Sequence, residues 1–189
     1  QRNTTGSNNV SMGYDALGNN TTASNNTAVG FNSLQANTTG GLNVAVGSLA
    51  GDALTTGFQN IAIGFDALGA ETLGGDNVAI GTQALATQNT PSGSTYNVGV
   101  GTSAGRFITT GIRNTLIGGR VGDALTDADF NVAMGTDALS ADTKGNKSVA
   151  IGVDALATQN FTSSTDSFNT AVGYQAGVAV TTGTSNTFV

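Results

Sequence analysis

Asn43-Val44-Ala45-Val46-Gly47, Asn60-Ile61-Ala62-Ile63-Gly64 and Asn77-Val78-Ala79-Ile80-Gly81 follow one another at a fixed interval of 17. Outward from this stretch the Asn anchor of the Asn-x-Ala-x-Gly unit recurs at Asn9, Asn26, Asn97, Asn114, Asn131, Asn169 and Asn186, with Ser148 in its place once. Eight of the ten intervals are 17 and the other two are 20 and 21, a register that marks stacked structural repeats. An apolar residue stands three after the anchor (Val46, Ile63, Met134, Val172). Gly stands four after it, at Gly47, Gly64, Gly81, Gly135 and Gly173. Seven after the anchor is nearly always small, and eight after is Leu or Gly. A longer period lies on top. Ala84-Leu85-Ala86-Thr87-Gln88-Asn89 returns four units later as Ala155-Leu156-Ala157-Thr158-Gln159-Asn160, so the array reads as a duplicated block of four units.

Each unit core is too short for a helix, rich in β-branched residues and closed by Gly, which predicts a strand running into a turn. Two short strands and two turns fit into one unit. The expected fold is therefore all-β, a parallel β-roll or β-solenoid of about eleven 17-residue coils, forming one domain over residues 1–189. Ten steps of about 4.8 Å make a rod of about 48 Å. Because side chains alternate along a strand, the pair flanking the central Ala faces one way and the Ala the other. The larger pair is expected to fill the roll, leaving the small face to pack against copies of the chain, since so thin a roll holds little core. Asn43, Asn60, Asn77, Asn131 and Asn169 are expected to form ladders or cap turns. The Gly four after each is expected to supply a positive φ at a corner.

Composition excludes several chemistries. With 0 His and 0 Cys the chain has no Ser-His-Asp triad, Cys nucleophile, disulfide or usual zinc site, so a non-enzymatic protein without cofactor or metal is expected. Charged residues are only 10% of the chain and the net charge is −6, the wrong sign for nucleic acid. No apolar run is long enough to span a membrane.

Asn60-Ile61-Ala62-Ile63-Gly64 and its copies resemble the head repeat of trimeric autotransporter adhesins. The stretch from Asn169 through Gly177, with Thr182-Gly183-Thr184-Ser185-Asn186-Thr187-Phe188-Val189, is similar to repeats of bacteriophage tail fibres. The resemblance covers all the units, although the unit here is about three residues longer than in those heads. It implies a left-handed roll, a homotrimer, an extracellular place on a virion tail fibre or bacterial surface, and attachment to a host-cell receptor or glycan. Without polar capping repeats at either end, the chain reads as a segment of a longer fibre. A purely structural filament and an ice-binding solenoid are the alternatives.

The two long intervals place insertions at 86–96 and 157–168. They hold Pro91, Tyr96, Phe161 and Phe168, the candidates for receptor contact, because insertions in solenoids emerge as loops. Asp15, Asp66, Asp137 and Asp154 share one place in the unit and read as a solvated polar face rather than a calcium ladder. Asp127 and Asp129 are the nearest approach to a catalytic acid pair. Arg106, Arg113 and Arg120 cluster in sequence beside Asp123, Asp127 and Asp129.

Overall fold

The computed structural model describes residues 2–91 and 93–189. Its strands are β1 (Val10–Met12), β2 (Thr27–Val29), β3 (Val44–Val46), β4 (Ile61–Ile63), β5 (Val78–Ile80), β6 (Val98–Val100), β7 (Thr115–Ile117), β8 (Val132–Met134), β9 (Gly145–Asn146), β10 (Val149–Ile151), β11 (Thr165–Asp166), β12 (Thr170–Val172) and β13 (Thr187–Phe188). Eleven of them stack in sequence order into one parallel sheet, β9 and β11 forming a separate pair. Each unit is one coil, and equivalent residues stack, Val44 on Ile61, Ala45 on Ala62 and Val46 on Ile63. The chain is an all-β parallel solenoid.

Two expectations are corrected. Most coils contain one strand, where two were expected, because the residues six and eight after the anchor are left-handed, as at Asp66 (φ 57) and Leu68 (φ 53). Extended backbone does not pass through that region. The coil stays bonded to its neighbours all the same, Leu68 N–H donating to Ala84 O at 3.0 Å and Thr55 N–H to Thr72 O at 2.9 Å. The faces of the strand are also reversed. Ala45, Ala62 and Ala79 point into the roll and are buried, whereas Val46 and Ile63 stand outward, 37% and 36% exposed. The interior is too narrow for two rows of Val, since the Leu of the following corner already reaches across it.

The interior follows a simple rule. Where the residue eight after the anchor is Leu (Leu34, Leu68, Leu85, Leu139, Leu156), the residue eleven after is polar (Asn37, Glu71, Gln88, Asp142, Gln159). Where it is Gly (Gly51, Gly105, Gly122, Gly177), the eleventh is Leu54, Ile108, Leu125 or Val180. Each coil thus receives a bulky apolar side chain from one of two corners. A Cβ on Gly122 would sit 2.9 Å from Cδ1 of Leu125, so both corners cannot be filled at once.

The anchor amides form the expected ladder. Asn43 Oδ1 accepts the backbone N–H of Asn60 at 3.0 Å, and Asn43 Nδ2 donates to Gly57 O at 2.8 Å. The pattern repeats in coil after coil, so a buried amide is satisfied on both sides. Gly47 has the positive φ predicted for it, 139°, and a Cβ there would meet Gly64 O at 2.5 Å.

Candidate interaction surfaces

Because strand flanks alternate with the buried Ala, the residues one and three after each anchor form two outward columns running the length of the rod. These hold Val, Ile, Thr and Met, with no charged side chain among the described residues. Val46, Ile63, Val132, Met134 and Val172 are each more than one third exposed. Two further columns border them. On one side stands the residue before the anchor, at a left-handed corner, which includes Leu42, Tyr96, Arg113, Phe130, Lys147 and Phe168, all exposed, and the half-buried Asp76. On the other stands the residue five after: Tyr14, Phe31, Phe65, Val153 and Tyr174. Tyr14 and Phe31 stack in adjacent coils with ring centres 5.5 Å apart. Arg113 lies 5.4 Å from the ring of Phe130, and Lys147 5.2 Å from that of Phe168, both within cation–π range. Tyr96 and Phe168 therefore belong to a regular column of the strand face, not to the insertions in which the sequence reading placed them.

The insertions are pinned from beneath by two buried carboxylates that hold equivalent places in the two four-unit blocks, Glu71 and Asp142. Glu71 accepts the N–H groups of Leu73 (3.1 Å) and Gly74 (2.7 Å), the hydroxyl of Thr90 (3.0 Å) and Nε2 of Gln88 (3.1 Å). Asp142 repeats the arrangement with Gly145 N–H at 3.0 Å, Phe161 N–H at 3.0 Å and Gln159 Nε2 at 2.6 Å. In each, the Gln oxygen accepts from the anchor amide of the long coil, Asn97 at 2.9 Å and Asn169 at 2.8 Å. Among the described residues neither carboxylate has a cationic partner, and a turn of backbone donors satisfies both. The first loop is laid against Gly75, which bridges to Ser94. The second forms the β9–β11 pair. Pro91 is exposed at the first tip. Phe161 is buried, 6% exposed, because its backbone N–H is drawn in to Asp142, so it is a packing residue and not a surface contact.

The acidic and basic candidates serve the coils. Asp15, Asp66 and Asp154 accept from Gln35, Gln83 and Gln175, and Asp137 pairs with Arg120 at 2.6 Å. That guanidinium holds the Asp137 carboxyl below the usual carboxylate range, and the Lys147 ammonium does the same for Asp166. Burial pushes Asp52 and Asp123 up, with Asp66 adding to the effect on Asp52. Asp129 accepts Ile112 N–H at 2.7 Å and Asp127 lies 3.5 Å from Lys144, so the two form no acid pair. Arg106, Arg113 and Arg120 occupy three different places in the coil and do not converge. Among the described residues no three carboxylates cluster as a metal site would need, and no helix is long and apolar enough to cross a membrane. A small hollow at the first coil, between Asn3, Asn9, Ser11, Leu17 and Asn20, has no titratable side chain in its lining. The Thr hydroxyls of the turns are engaged in a ladder, Thr38 to Thr55 O at 3.1 Å and Thr55 to Thr72 O at 3.0 Å.

Comparison with protein-family models finds no match, and searches of curated proteins and of solved structures find none either.

Proposed function

We propose that this chain is a non-enzymatic fibre module. It assembles as a homotrimeric rod of a phage tail fibre or bacterial surface adhesin, and it mediates or projects attachment to a host-cell receptor or glycan. The carrying observation is an unbroken solenoid of about 48 Å with two uncharged, largely apolar columns turned outward along the centre of its strand face. A lone soluble chain leaves such a stripe in water, and a bundle covers it. A bundle of identical rods repeats each weak surface contact in every copy, so attachment strengthens by avidity without a deep pocket. Of the contact set, Pro91 stands exposed at the tip of the first insertion, away from the strand face that a bundle covers, whereas Tyr96 and Phe168 border that face.

Labelled protein incubated with whole bacteria and with a glycan array tests the attachment role. Saturable binding, reduced when both insertions are cut back to the regular turn of the other coils, is the expected result. An assembled rod that binds no cell and no glycan overturns the attachment role and leaves a structural filament.

A further inference from the structure

We infer that the column of residues before the anchors, from Tyr96 to Phe168, binds an acidic polysaccharide laid along the rod, one in which neutral and acidic sugars alternate. The inference rests on the attachment reading above and gives it a ligand class and a site.

Consecutive coils place Tyr96, Arg113, Phe130, Lys147 and Phe168 one above another, in the order ring, cation, ring, cation, ring. All are exposed, and all sit in the left-handed region, at φ 55, 58, 60, 58 and 49. That backbone suits Asn better than it suits bulky side chains. The same corner in the first two coils is Asn8 and Asn25, with φ 58 and 62. Burial does not account for the large side chains either, since Tyr96 and Phe168 are 52% and 54% exposed. The coil does not need them, and outliers of this kind point to a contact outside the chain. The ladder ends at Asp76 on one side and at Ser185 on the other.

The rings aim the cations. Arg113 packs over Phe130 and Lys147 over Phe168, so each charged head is held at its own coil. Arg113 and Lys147 are two coils apart, a rise of about 10 Å, with the Phe130 ring between them. The rise of one sugar in an extended β-linked polysaccharide is close to one coil step of about 4.8 Å. Acidic sugars in alternation then meet Arg113 and Lys147, while the C–H faces of the neutral sugars meet Tyr96, Phe130 and Phe168. An extended peptide rises about 3.3 Å per residue and falls out of step. Nucleic acid carries a charge on every nucleotide, against a ladder charged at every second coil.

Charge agrees locally, although the chain is acidic overall. Of its 6 Lys and Arg residues, all but Arg2 fall between Arg106 and Lys147. Among the described residues Arg113 pairs with no carboxylate. Lys147 meets Asp166 at 2.6 Å, an exposed pair that stabilises little and that a ligand carboxylate can share. The other acids beside the column are engaged, Asp129 by Ile112 N–H and Asp127 by Lys144.

The probe is a labelled oligosaccharide of unsulfated chondroitin, in which glucuronate alternates with a neutral amino sugar, titrated with the full chain. Retention of the native thermal midpoint verifies the fold of each variant. Arg113→Ser and Lys147→Ser should each weaken binding about tenfold, and Phe130→Ser should weaken it too. Arg106→Ser removes the same charge from another column and should leave binding unchanged. Equal losses from Arg106→Ser and Arg113→Ser mean attraction by bulk charge and overturn the inference. Equal or tighter binding of polyglutamate, of a single-stranded oligonucleotide or of a neutral chitin oligosaccharide also overturns it. Failure to bind chondroitin, in a protein that still attaches to whole bacteria, overturns it while leaving the attachment reading intact. A rod that binds no cell and no glycan removes both.

Discussion

Gly51 leaves the room that Leu54 fills: a Cβ on Gly51 would stand 3.0 Å from Cδ1 of Leu54 and 3.2 Å from Cδ2 of Leu34 in the coil before. Leu54→Asn alone should therefore cost about 2–5 kcal/mol, a transfer loss plus a cavity. Gly51→Leu alone should cost about 1–3 kcal/mol by overpacking. The double variant Gly51→Leu/Leu54→Asn rewrites the coil in the pattern of Leu34 and Asn37. It also supplies a donor to Asn37 Oδ1, which is buried without a partner. Denaturant unfolding of the four proteins should give a double variant more stable than the sum of its singles, whereas simple additivity would refute the two-corner rule.

The reversed strand face gives a sharp contrast between adjacent residues. Ala62→Leu pushes bulk into a filled interior and should lower stability by about 1–3 kcal/mol, while Ile63→Leu, on the outward side, should change it by less than about 1.5 kcal/mol. Equal effects at the two positions, measured by thermal unfolding, would return the large face to the inside.

Much of this was legible in the sequence. The constant interval between anchors implied the solenoid, Gly47 announced its corner and Asn43 its ladder, because each role needs one residue type at one place. The orientation of Val44 and Val46 was not legible, since alternation says that Ala45 faces the other way but not which way is in. That depends on how far Leu34 and Leu68 reach across the roll. The pairing of Leu68 with Glu71, or of Gly51 with Leu54, is visible as a pattern only once both positions are known to point inward. Phe161 looked like a loop aromatic, and nothing local announced that Asp142, in the preceding coil, draws it in.

The carboxylate pins make a prediction about the loops. Glu71→Ala leaves the N–H groups of Leu73 and Gly74 and the hydroxyl of Thr90 without their acceptor, and Asp142→Ala does the same to Gly145 and Phe161. Each should cost about 1–3 kcal/mol. Hydrogen exchange should quicken at Thr90 in the first variant and at Phe161 in the second, each without effect on the other. Unchanged exchange at both amides would mean that the insertions hold themselves.

Stability should depend on pH through two opposed sets of carboxyls. Asp52 and Asp123 are pushed up in the folded chain, so between the ordinary carboxylate value and their raised ones the folded state binds more protons, and stability falls as pH rises through that window. Asp52→Asn should therefore give a modest gain at neutral pH that disappears in acid. Asp137 is held down by Arg120. Its contribution is present above the ordinary carboxylate value and is lost as pH falls through the folded one. Asp137→Asn should give a small loss at neutral pH that also disappears in acid. Thermal midpoints across a pH series distinguish the two, and a neutral-pH loss for Asp52→Asn would contradict the burial cause.

The native mass in dilute solution, by light scattering, bears most directly on whether the outward strand face is shared between chains. A homotrimeric rod gives three times the 18.7 kDa of the chain, with Ile63→Lys or Ile80→Lys reducing it to a single chain that keeps its β spectrum. A well-folded protein of 18.7 kDa at every concentration would contradict it, leaving the Val and Ile columns of a solitary solenoid open to water.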